Sequence, residues 1–447
     1  MTSERDPRAR PGRPWSAPVP LAPGPDSTLD LDVEQLVPGG SGLCRDVDGI
    51  VFVPKTAVGD RVRVTITGKR GGVREARVLE LLTSSPDRVV PACVVADRCG
   101  GCDWLHLSTT AQTANKSVLA DDALRRIGRF GADVVDAVRR PVVAAVADAG
   151  LELVGRRRTR VVIGRDGAAT YSAASSHERV PVTTCGALHP LLDAALAQLP
   201  LARLPAGTTV RLAVDSRGHV VAATSSSAAR ALHAAGIVVG AVVVDHRDEA
   251  KNALVVGDAF LVGEVTAGRF TAVADAATFA QATRHGGSAI IDAVIAAVDD
   301  IIDGARVLEL FCGSGHLTLP LAARARHIHA VEGDHRALRH LEYNKTLVRG
   351  AIHAEAAFID AELPVAADTD VVVIDPPRTG LVGARVLFSA LATKARIRRL
   401  VMVSCDPATG ARDLRAAVDA GFTLTSVTPI DAFPRTHHLE WVASLSR

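Results

Sequence analysis

The sequence predicts a multidomain protein in which a small β-barrel, a central α+β domain and a doubly wound α/β domain follow one another. Three observations predict this order: short alternating strands come first, a cluster of cysteines follows, and buried strands then alternate with helices. The predicted divisions are a disordered, proline-rich tail at 1–26, the barrel at 27–83, the central domain at 84–285 and the α/β domain at 286–447.

Composition places the chain among ordinary globular proteins. Its 447 residues are 48% hydrophobic and 22% charged, and 51 basic residues nearly balance 49 acidic ones. This balance excludes a polycationic chain but leaves room for a local basic groove. No apolar run reaches the roughly 18 residues of a membrane helix, and no signal-peptide pattern is present. We therefore expect a cytoplasmic protein without membrane attachment, whose seven cysteines do not form disulfides.

The barrel prediction rests on strands that alternate between apolar and polar residues. Val62, Val64 and Ile66 alternate with polar neighbours, and a Gly-Asp turn precedes them. The region resembles a TRAM domain, an OB-like RNA-binding barrel; the residues that carry the resemblance are Gly42, Gly49, Val53, Pro54, Gly59 and Asp60. Because small barrels look alike, the residues alone leave open a purely structural barrel.

A glycine-rich turn between a strand and a helix predicts a cofactor site. Gly313 and Gly315 allow close approach to a ligand, and Glu332 ends the next strand, where its carboxylate can accept ribose hydroxyls. Thr318 stands where a dinucleotide site has its third glycine. The pattern therefore favours S-adenosylmethionine over NAD, while a turn that only packs the helix stays open.

The ends of two later strands predict a catalytic site at the same edge of the sheet. Asp375 begins an Asp-Pro-Pro turn after one strand, and Cys405 follows the next. Glu440 comes 35 residues after Cys405. A cysteine that faces a cofactor is a candidate nucleophile. Spacing alone leaves a buried structural cysteine as the alternative.

Five segments resemble, in order and spacing, the RNA 5-methyluridine methyltransferase family: FAQA, LELFCGSG, VVVIDPPRTG, VSCDP and FPRTHHLE. The resemblance covers residues 29–447 and implies an RNA substrate. It implies that Cys405 adds to uracil C6 and that Glu440 removes the C5 proton. It also implies that S-adenosylmethionine is held by Gln281, Phe311, Glu332 and Asp375. The sequence departs from the usual pattern at Thr283 and His316.

Four cysteines that precede these five motifs have the spacing of a metal site. Cys93, Cys99 and Cys102 form a C-x5-C-x2-C pattern, and Cys185 follows 83 residues later. Spacing leaves both a zinc site and an iron–sulfur cluster open. The family resemblance, in the subfamily with a TRAM domain, implies a [4Fe–4S] cluster with Cys185 as its fourth ligand.

The residues alone leave two other function classes open. An amino-methyltransferase would use the Asp-Pro-Pro turn without Cys405, and an inert iron–sulfur RNA-binding module would bind no cofactor. Analogy within the family favours 23S ribosomal RNA over the T-loop uridine of transfer RNA, and we expect a monomer.

Two local patterns complete the prediction. Arg156, Arg158 and Arg160 would form a basic stripe if they lie on one strand, although a solvated sheet face is the alternative. Helical spacing of apolar residues predicts a helix capped by Ser288.

Overall fold

The computed structural model describes residues 19–20, 28–147, 155–174, 176–244, 255–265, 270–360 and 365–447. The chain divides into two compact units, residues 1–88 and 89–447. The predicted disordered tail lies outside the described residues except for Val19–Pro20. None of the described helices is long and apolar enough to cross a membrane.

The first unit is a sheet of seven strands: β1 (Val19–Pro20), β2 (Thr28–Asp32), β3 (Gln35–Leu36), β4 (Gly42–Asp46), β5 (Gly49–Val53), β6 (Arg61–Arg70) and β7 (Val73–Thr83). The strand order is β1-β6-β7-β5-β4-β3, and β2 pairs with β6. Alternating residues such as Val62 and Val64 turn inward and form a core with Leu31 and Cys44.

Asp60 fixes the turn before β6. Its buried carboxylate accepts the backbone N–H groups of Ala57 at 2.6 Å and Ser85 at 2.9 Å, and it pairs with Arg88. Burial alone would raise the pKa of Asp60, but these donors hold it below its ordinary value. A residue that carries the barrel resemblance is thus also required by the turn itself.

The second unit begins with two helices and a central sheet. The helices are α1 (Thr109–Asp122), which continues into a π-helical turn (Ala123–Ile127), and α2 (Ala132–Val138). The sheet has the strand order β10-β9-β8-β11-β12-β13-β14, and α3 and α4 pack against it. The bounds are β8 (Arg158–Ile163), β9 (Ala169–Ser172), β10 (Arg179–Val182), α3 (Pro190–Gln198), a 3-10 turn (Leu199–Ala202), β11 (Thr209–Val214), β12 (Val220–Thr224), α4 (Ser226–Ala234), β13 (Gly240–Val243) and β14 (Val255–Gly257).

A second sheet of seven strands follows the hairpin β15 (Leu261–Val265) and β16 (Phe270–Ala274). Its order is β19-β18-β17-β20-β21-β23-β22, and every neighbouring pair is parallel except those of β23. The bounds are α5 (Arg284–Val298), β17 (Arg306–Leu310), α6 (Thr318–Ala322), β18 (His327–Glu332), α7 (His335–Asn344), a 3-10 turn (Lys345–Leu347), β19 (Ile352–Ala356), β20 (Val371–Ile374), α8 (Ala384–Ala392), β21 (Arg399–Ser404), α9 (Pro407–Asp419), β22 (Thr423–Ile430) and β23 (Glu440–Ser446).

Helices cover both faces of this second sheet, so its strands are apolar on both sides. Helices α5, α6 and α7 pack on one face, against residues such as Val307 and Val371. Helices α8 and α9 pack on the other, against Leu308 and Val372. Leu124 and Val135, from the π-helical turn and α2, join this second face. Residues 109–138, which the sequence assigns to the central domain, therefore pack partly on the C-terminal sheet.

Two local predictions are wrong. Helix α5 begins at Arg284, because the Thr283 hydroxyl accepts the N–H of Gly286 at 3.1 Å, and Ser288 lies inside the helix. The basic stripe does not form either. The Arg156 guanidinium donates to the Gly101 carbonyl, and that of Arg158 donates inward to two carbonyls, which leaves Arg160 as the exposed member.

Candidate active site

The loop after β17 turns its backbone toward a cavity. Phe311, Gly313 and Gly315 have positive φ angles of 63°, 55° and 98°. Glycine is required at the last position, because a Cβ there would lie 2.8 Å from Cδ1 of Leu341. The two glycines of the sequence pattern therefore serve the turn.

Glu332 holds this loop from the end of β18. Its carboxylate accepts the N–H of Gly313 at 2.9 Å and the N–H of Asp334 at 2.7 Å. The residue predicted to bind ribose hydroxyls is thus also the anchor of the glycine loop.

A cavity of about 210 Å³ lies beside the loop. Three of the four predicted cofactor residues, Gln281, Phe311 and Asp375, line it, and Glu332 is bonded to a fourth lining residue, Gly313. The side-chain oxygens of Gln281 and Ser314 are buried without a partner. Because buried polar groups normally have partners, these atoms fit a polar ligand such as S-adenosylmethionine.

Residues next to the central sheet also contribute to the cavity, beyond those that the sequence predicts. Arg157, Asp215 and Ser216 line it together with the glycine loop. The sequence carries no signal for these three residues, because the cofactor motif of the central region, FAQA, lies far from them in the chain.

Asp375 is the titratable group at the centre of this edge. Burial, together with the negative charge of Glu332, raises its pKa to about 7. A carboxyl group with this pKa can donate as well as accept a hydrogen bond near neutral pH.

Cys405 and Glu440 are brought together by strand pairing. Ser404, the last residue of β21, pairs with Trp441 of the antiparallel strand β23. Because the strands are antiparallel, Cys405, one residue after Ser404, lies across from Glu440, one residue before Trp441. The two side chains predicted to be catalytic therefore occupy facing positions at the end of this strand pair, next to the strand that carries Asp375.

The electrostatics of this pair depend on Arg378. Burial and the charge of Glu440 raise the pKa of the Cys405 thiol to about 12, although Arg378 opposes the rise by charge and by a hydrogen bond. Burial also raises the pKa of Glu440 to about 8, with Asp375 adding and Arg378 opposing. Arg378 belongs to the VVVIDPPRTG motif, but the motif alone does not predict this role.

Helix α9 holds the loop that carries Arg378. Asp413 accepts the N–H of Leu381 at 2.9 Å, and the Thr409 hydroxyl donates to the Arg378 carbonyl at 3.1 Å. The backbone of the loop from which the Arg378 side chain extends is therefore fixed by α9.

The predicted ligand cysteines influence one another's pKa values. Burial raises the pKa of Cys102, with Cys185 and Cys99 adding to the rise. Burial likewise raises the pKa of Cys185, with Cys99 and Cys93 adding. Arg156 lowers the pKa of both thiols, so the site collects four sulfurs beside positive charge.

Among the described residues, one other group could hold a metal ion: the ligand atoms of His329, His353 and Glu355 all lie within 4.8 Å of one another. The four cysteines differ from this group in offering sulfur ligands alone, which suit either zinc or an iron–sulfur cluster.

The fold and the cavity define the class of protein as a methyltransferase that uses S-adenosylmethionine. The crystal structure of the Pyrococcus abyssi tRNA (uracil-54, C5)-methyltransferase with S-adenosyl-L-homocysteine has the same fold. Its TM-score is 0.69 at 20% identity, over 93% of this chain and 99% of that chain. The family described as Conserved hypothetical protein 95 matches residues 265–416.

Curated relatives give the particular family. The 23S rRNA (uracil(1939)-C(5))-methyltransferase RlmD of Chromohalobacter salexigens is 31% identical over 94% of this chain and 90% of its own length. A protein of the same name from Halomonas elongata is 31% identical over 95% and 90%. An uncharacterized RNA methyltransferase of Gloeobacter violaceus is 29% identical over 96% and 99%. The chain belongs to the RNA (uracil-C5)-methyltransferase family, which confirms the predicted family and cofactor.

Proposed function

We propose that this protein methylates C5 of a uridine in 23S ribosomal RNA, with Cys405 as the nucleophile and Glu440 as the base. The observation that carries the proposal is the facing position of these two residues at the end of β21 and β23, beside the cavity that Asp375 lines.

The chemistry needs both residues because uracil C5 is a weak nucleophile. The Cys405 thiolate forms a bond to C6, and the displaced electrons make C5 an enolate-like carbon. S-adenosylmethionine, when bound, supplies the methyl group to C5. The Glu440 carboxylate then takes the C5 proton, the C5–C6 double bond forms again, and the bond from C6 to sulfur breaks. The target base must leave its stack to reach the thiol.

Arg378 assists this sequence as the positive charge beside both residues. It lowers the pKa of the Cys405 thiol and of Glu440 against the effect of burial. It therefore favours the thiolate that attacks and the carboxylate that accepts the proton.

The relatives favour ribosomal RNA as the substrate. Proteins named as 23S rRNA uracil methyltransferases match over at least 90% of both chains at 31% identity, whereas the transfer RNA enzyme of the same fold is 20% identical. The transfer RNA T-loop uridine is the second candidate.

An assay of the purified protein with two transcripts tests the substrate and the nucleophile together. Unmodified 23S ribosomal RNA and transfer RNA transcripts are offered separately with labelled S-adenosylmethionine. We expect 5-methyluridine in the ribosomal transcript and none with Cys405→Ala. Methylation of the transfer RNA alone would overturn the substrate, and full activity of Cys405→Ala would overturn the mechanism.

We also propose a [4Fe–4S] cluster on Cys93, Cys99, Cys102 and Cys185. Four thiols and two neighbouring guanidinium groups, Arg156 and Arg435, support an anionic thiolate cluster. Iron and sulfide analysis of anaerobically purified protein tests it. Four of each per chain is the expected result, and stoichiometric zinc would overturn it.

We propose that the predicted barrel region, residues 27–83, is a TRAM-like barrel that contacts RNA. Its alternating core and the Asp60 turn support the barrel. Filter binding of the ribosomal transcript to the full chain and to Arg77→Glu tests the contact, because Arg77 is exposed on β7. An unchanged affinity for RNA, with an unchanged dependence of that affinity on salt concentration, would count against it.

A further inference from the structure

The loop that leads to Glu440 is held by a distant part of the chain. This loop, residues 431–439, joins β22 to β23; we call it the Glu440 loop. The backbone N–H of Trp104 donates to the Arg435 carbonyl at 3.0 Å, and the side-chain oxygen of Gln112 accepts the backbone N–H of Arg435 at 2.6 Å. Both backbone groups of Arg435 are therefore fixed by the segment that follows the cysteines.

Two further side chains of that segment hold the rest of the loop. Lys116 is fully buried, pairs with Asp431 and donates to the Phe433 carbonyl at 2.9 Å. Asp103, next to Cys102, accepts the N–H of His437 at 3.2 Å and lies 2.5 Å from its ring Nδ1. The loop is thus bonded near its start, its middle and its end.

Arg435 connects the middle of the loop to the cysteines themselves. Its φ of 67° is left-handed, which is uncommon for a residue with a side chain. The guanidinium donates to the carbonyl of Gly186, the residue after Cys185, at 3.0 Å. Burial and the charge of Arg156 lower the pKa of Arg435, whereas negative charge on Cys102, Cys185 and Asp431 raises it.

The net charge around Arg435 depends on whether the four cysteines are neutral thiols or thiolates bound to a cluster. With neutral thiols, the half-buried guanidinium groups of Arg435 and Arg156 repel each other across the site. With four thiolates bound to an iron–sulfur cluster, the same two groups face negative charge. Loading the cysteines therefore favours the observed position of Arg435, and emptying them disfavours it.

We propose that Arg435 is the positioning residue through which the loaded four-cysteine site holds the Glu440 loop, and so the base, in place. The inference rests on the proposed function for Glu440 and for the cluster. It predicts that the cluster acts on the step that removes the C5 proton, rather than on the attack by Cys405.

Hydrogen exchange of the loop amides measures this coupling without using activity. Wild-type protein is compared in the iron-loaded and iron-depleted forms, and exchange of helix α9 reports whether the rest of the fold persists. We expect residues 433–439 to exchange about tenfold faster after depletion, while α9 is unchanged. In Arg435→Gln we expect fast exchange in both forms, and in Arg435→Lys a largely restored difference, because the charge is kept.

A single-turnover assay with the ribosomal transcript provides the second readout. Loaded Arg435→Gln should bind iron normally and form the covalent RNA adduct at the wild-type rate, yet release methylated product about tenfold more slowly. The matched control is Arg326→Gln, an exposed arginine outside the loop and the cysteine region, which should match wild type in both assays.

Either of two results would overturn the inference. Loop exchange could be equal in loaded and depleted wild type, or Arg435→Gln could keep the full difference between the two forms. Failure of the proposed function is distinct: it would appear as an absence of iron in wild type or as full activity of Cys405→Ala, both measured before the coupling experiment.

Discussion

Two loops at the carboxyl edge of the C-terminal sheet differ in how far along the chain their anchoring residues lie. The glycine loop after β17 is anchored by Glu332, which is 19 residues away on the neighbouring strand. The Glu440 loop is anchored by side chains more than 300 residues away, including Lys116 and Gln112. The glycine loop is therefore fixed within the C-terminal sheet, whereas the position of the base depends on the cysteine-bearing region.

This difference separates two kinds of damage. A change in the glycine loop should weaken cofactor binding and leave the base in place. A change in the anchors of the Glu440 loop should leave cofactor binding intact and slow the chemistry. Four predictions, from the largest expected effect to the smallest, test this separation.

Replacing the base gives the largest effect. Glu440→Gln keeps the shape of the side chain but cannot accept the C5 proton, so we expect turnover to fall by about 10²–10⁴-fold. The Cys405 adduct should still form and should accumulate as a slowly migrating band on a denaturing gel. Tritium release from 5-tritiated uridine in the transcript measures the same step; release at the wild-type rate would place the base elsewhere.

Breaking the buried pair tests the distant anchor of the loop. Lys116→Met leaves the Asp431 charge buried without its partner, so we expect a loss of about 3–5 kcal/mol in the free energy of unfolding. Denaturant unfolding measures this loss. Turnover of the folded fraction should also fall, while affinity for S-adenosyl-L-homocysteine stays at the wild-type value.

Two controls accompany this variant. Lys345→Met removes a lysine from a solvent-accessible pair with Glu342 and should cost about 0–1 kcal/mol. Adding Asp431→Leu to Lys116→Met removes the unpaired charge and should recover part of the stability. A loss as small as that of Lys345→Met would mean that the buried pair does not anchor the loop.

Substituting the glycine loop tests the local anchor. Gly315→Ala adds a Cβ at 2.8 Å from Leu341 on a backbone with a φ of 98°, at a cost of about 1–3 kcal/mol. Calorimetry should then detect weaker cofactor binding, while hydrogen exchange of the Glu440 loop stays unchanged. Gly304→Ala is the control, because its φ of 74° is also positive but nothing lies within 4 Å of the added atom.

The sequence predicts the local loop well and the distant anchors poorly, for a physical reason. Gly313, Gly315 and Glu332 lie on consecutive elements of a parallel sheet, so their spacing alone implies that they meet. Lys116, Gln112 and Asp103 contact the Glu440 loop only after the chain between them has folded. A helical residue such as Lys116 has the same sequence pattern whether it faces solvent or a buried carboxylate.

The metal site and the basic stripe show the same difference between local pattern and tertiary contact. The spacing of the four cysteines indicates a metal site. The position of Arg156 before β8 and the burial of the Arg158 guanidinium depend instead on tertiary contacts. The basic stripe fails for this reason. Facing positions for Cys405 and Glu440 follow from the antiparallel strand β23, which motif order alone does not predict.

The pH dependence of turnover is the smallest expected effect and bears on Glu440 alone. Because its pKa is raised to about 8, most of the group is protonated at pH 7 and cannot accept the C5 proton. Turnover at saturating RNA and cofactor should therefore rise about tenfold per pH unit below pH 8 and level off above it.

Two observations separate this profile from titration of the nucleophile. Ionisation of Cys405, whose pKa is raised to about 12, would give a rise that continues past pH 9 without a plateau. Arg378→Gln removes the charge that lowers the pKa of Glu440, so its plateau should move to higher pH. A flat profile from pH 6 to 9 would mean that proton removal by Glu440 does not limit turnover, and the slow step would then lie in base extrusion or product release.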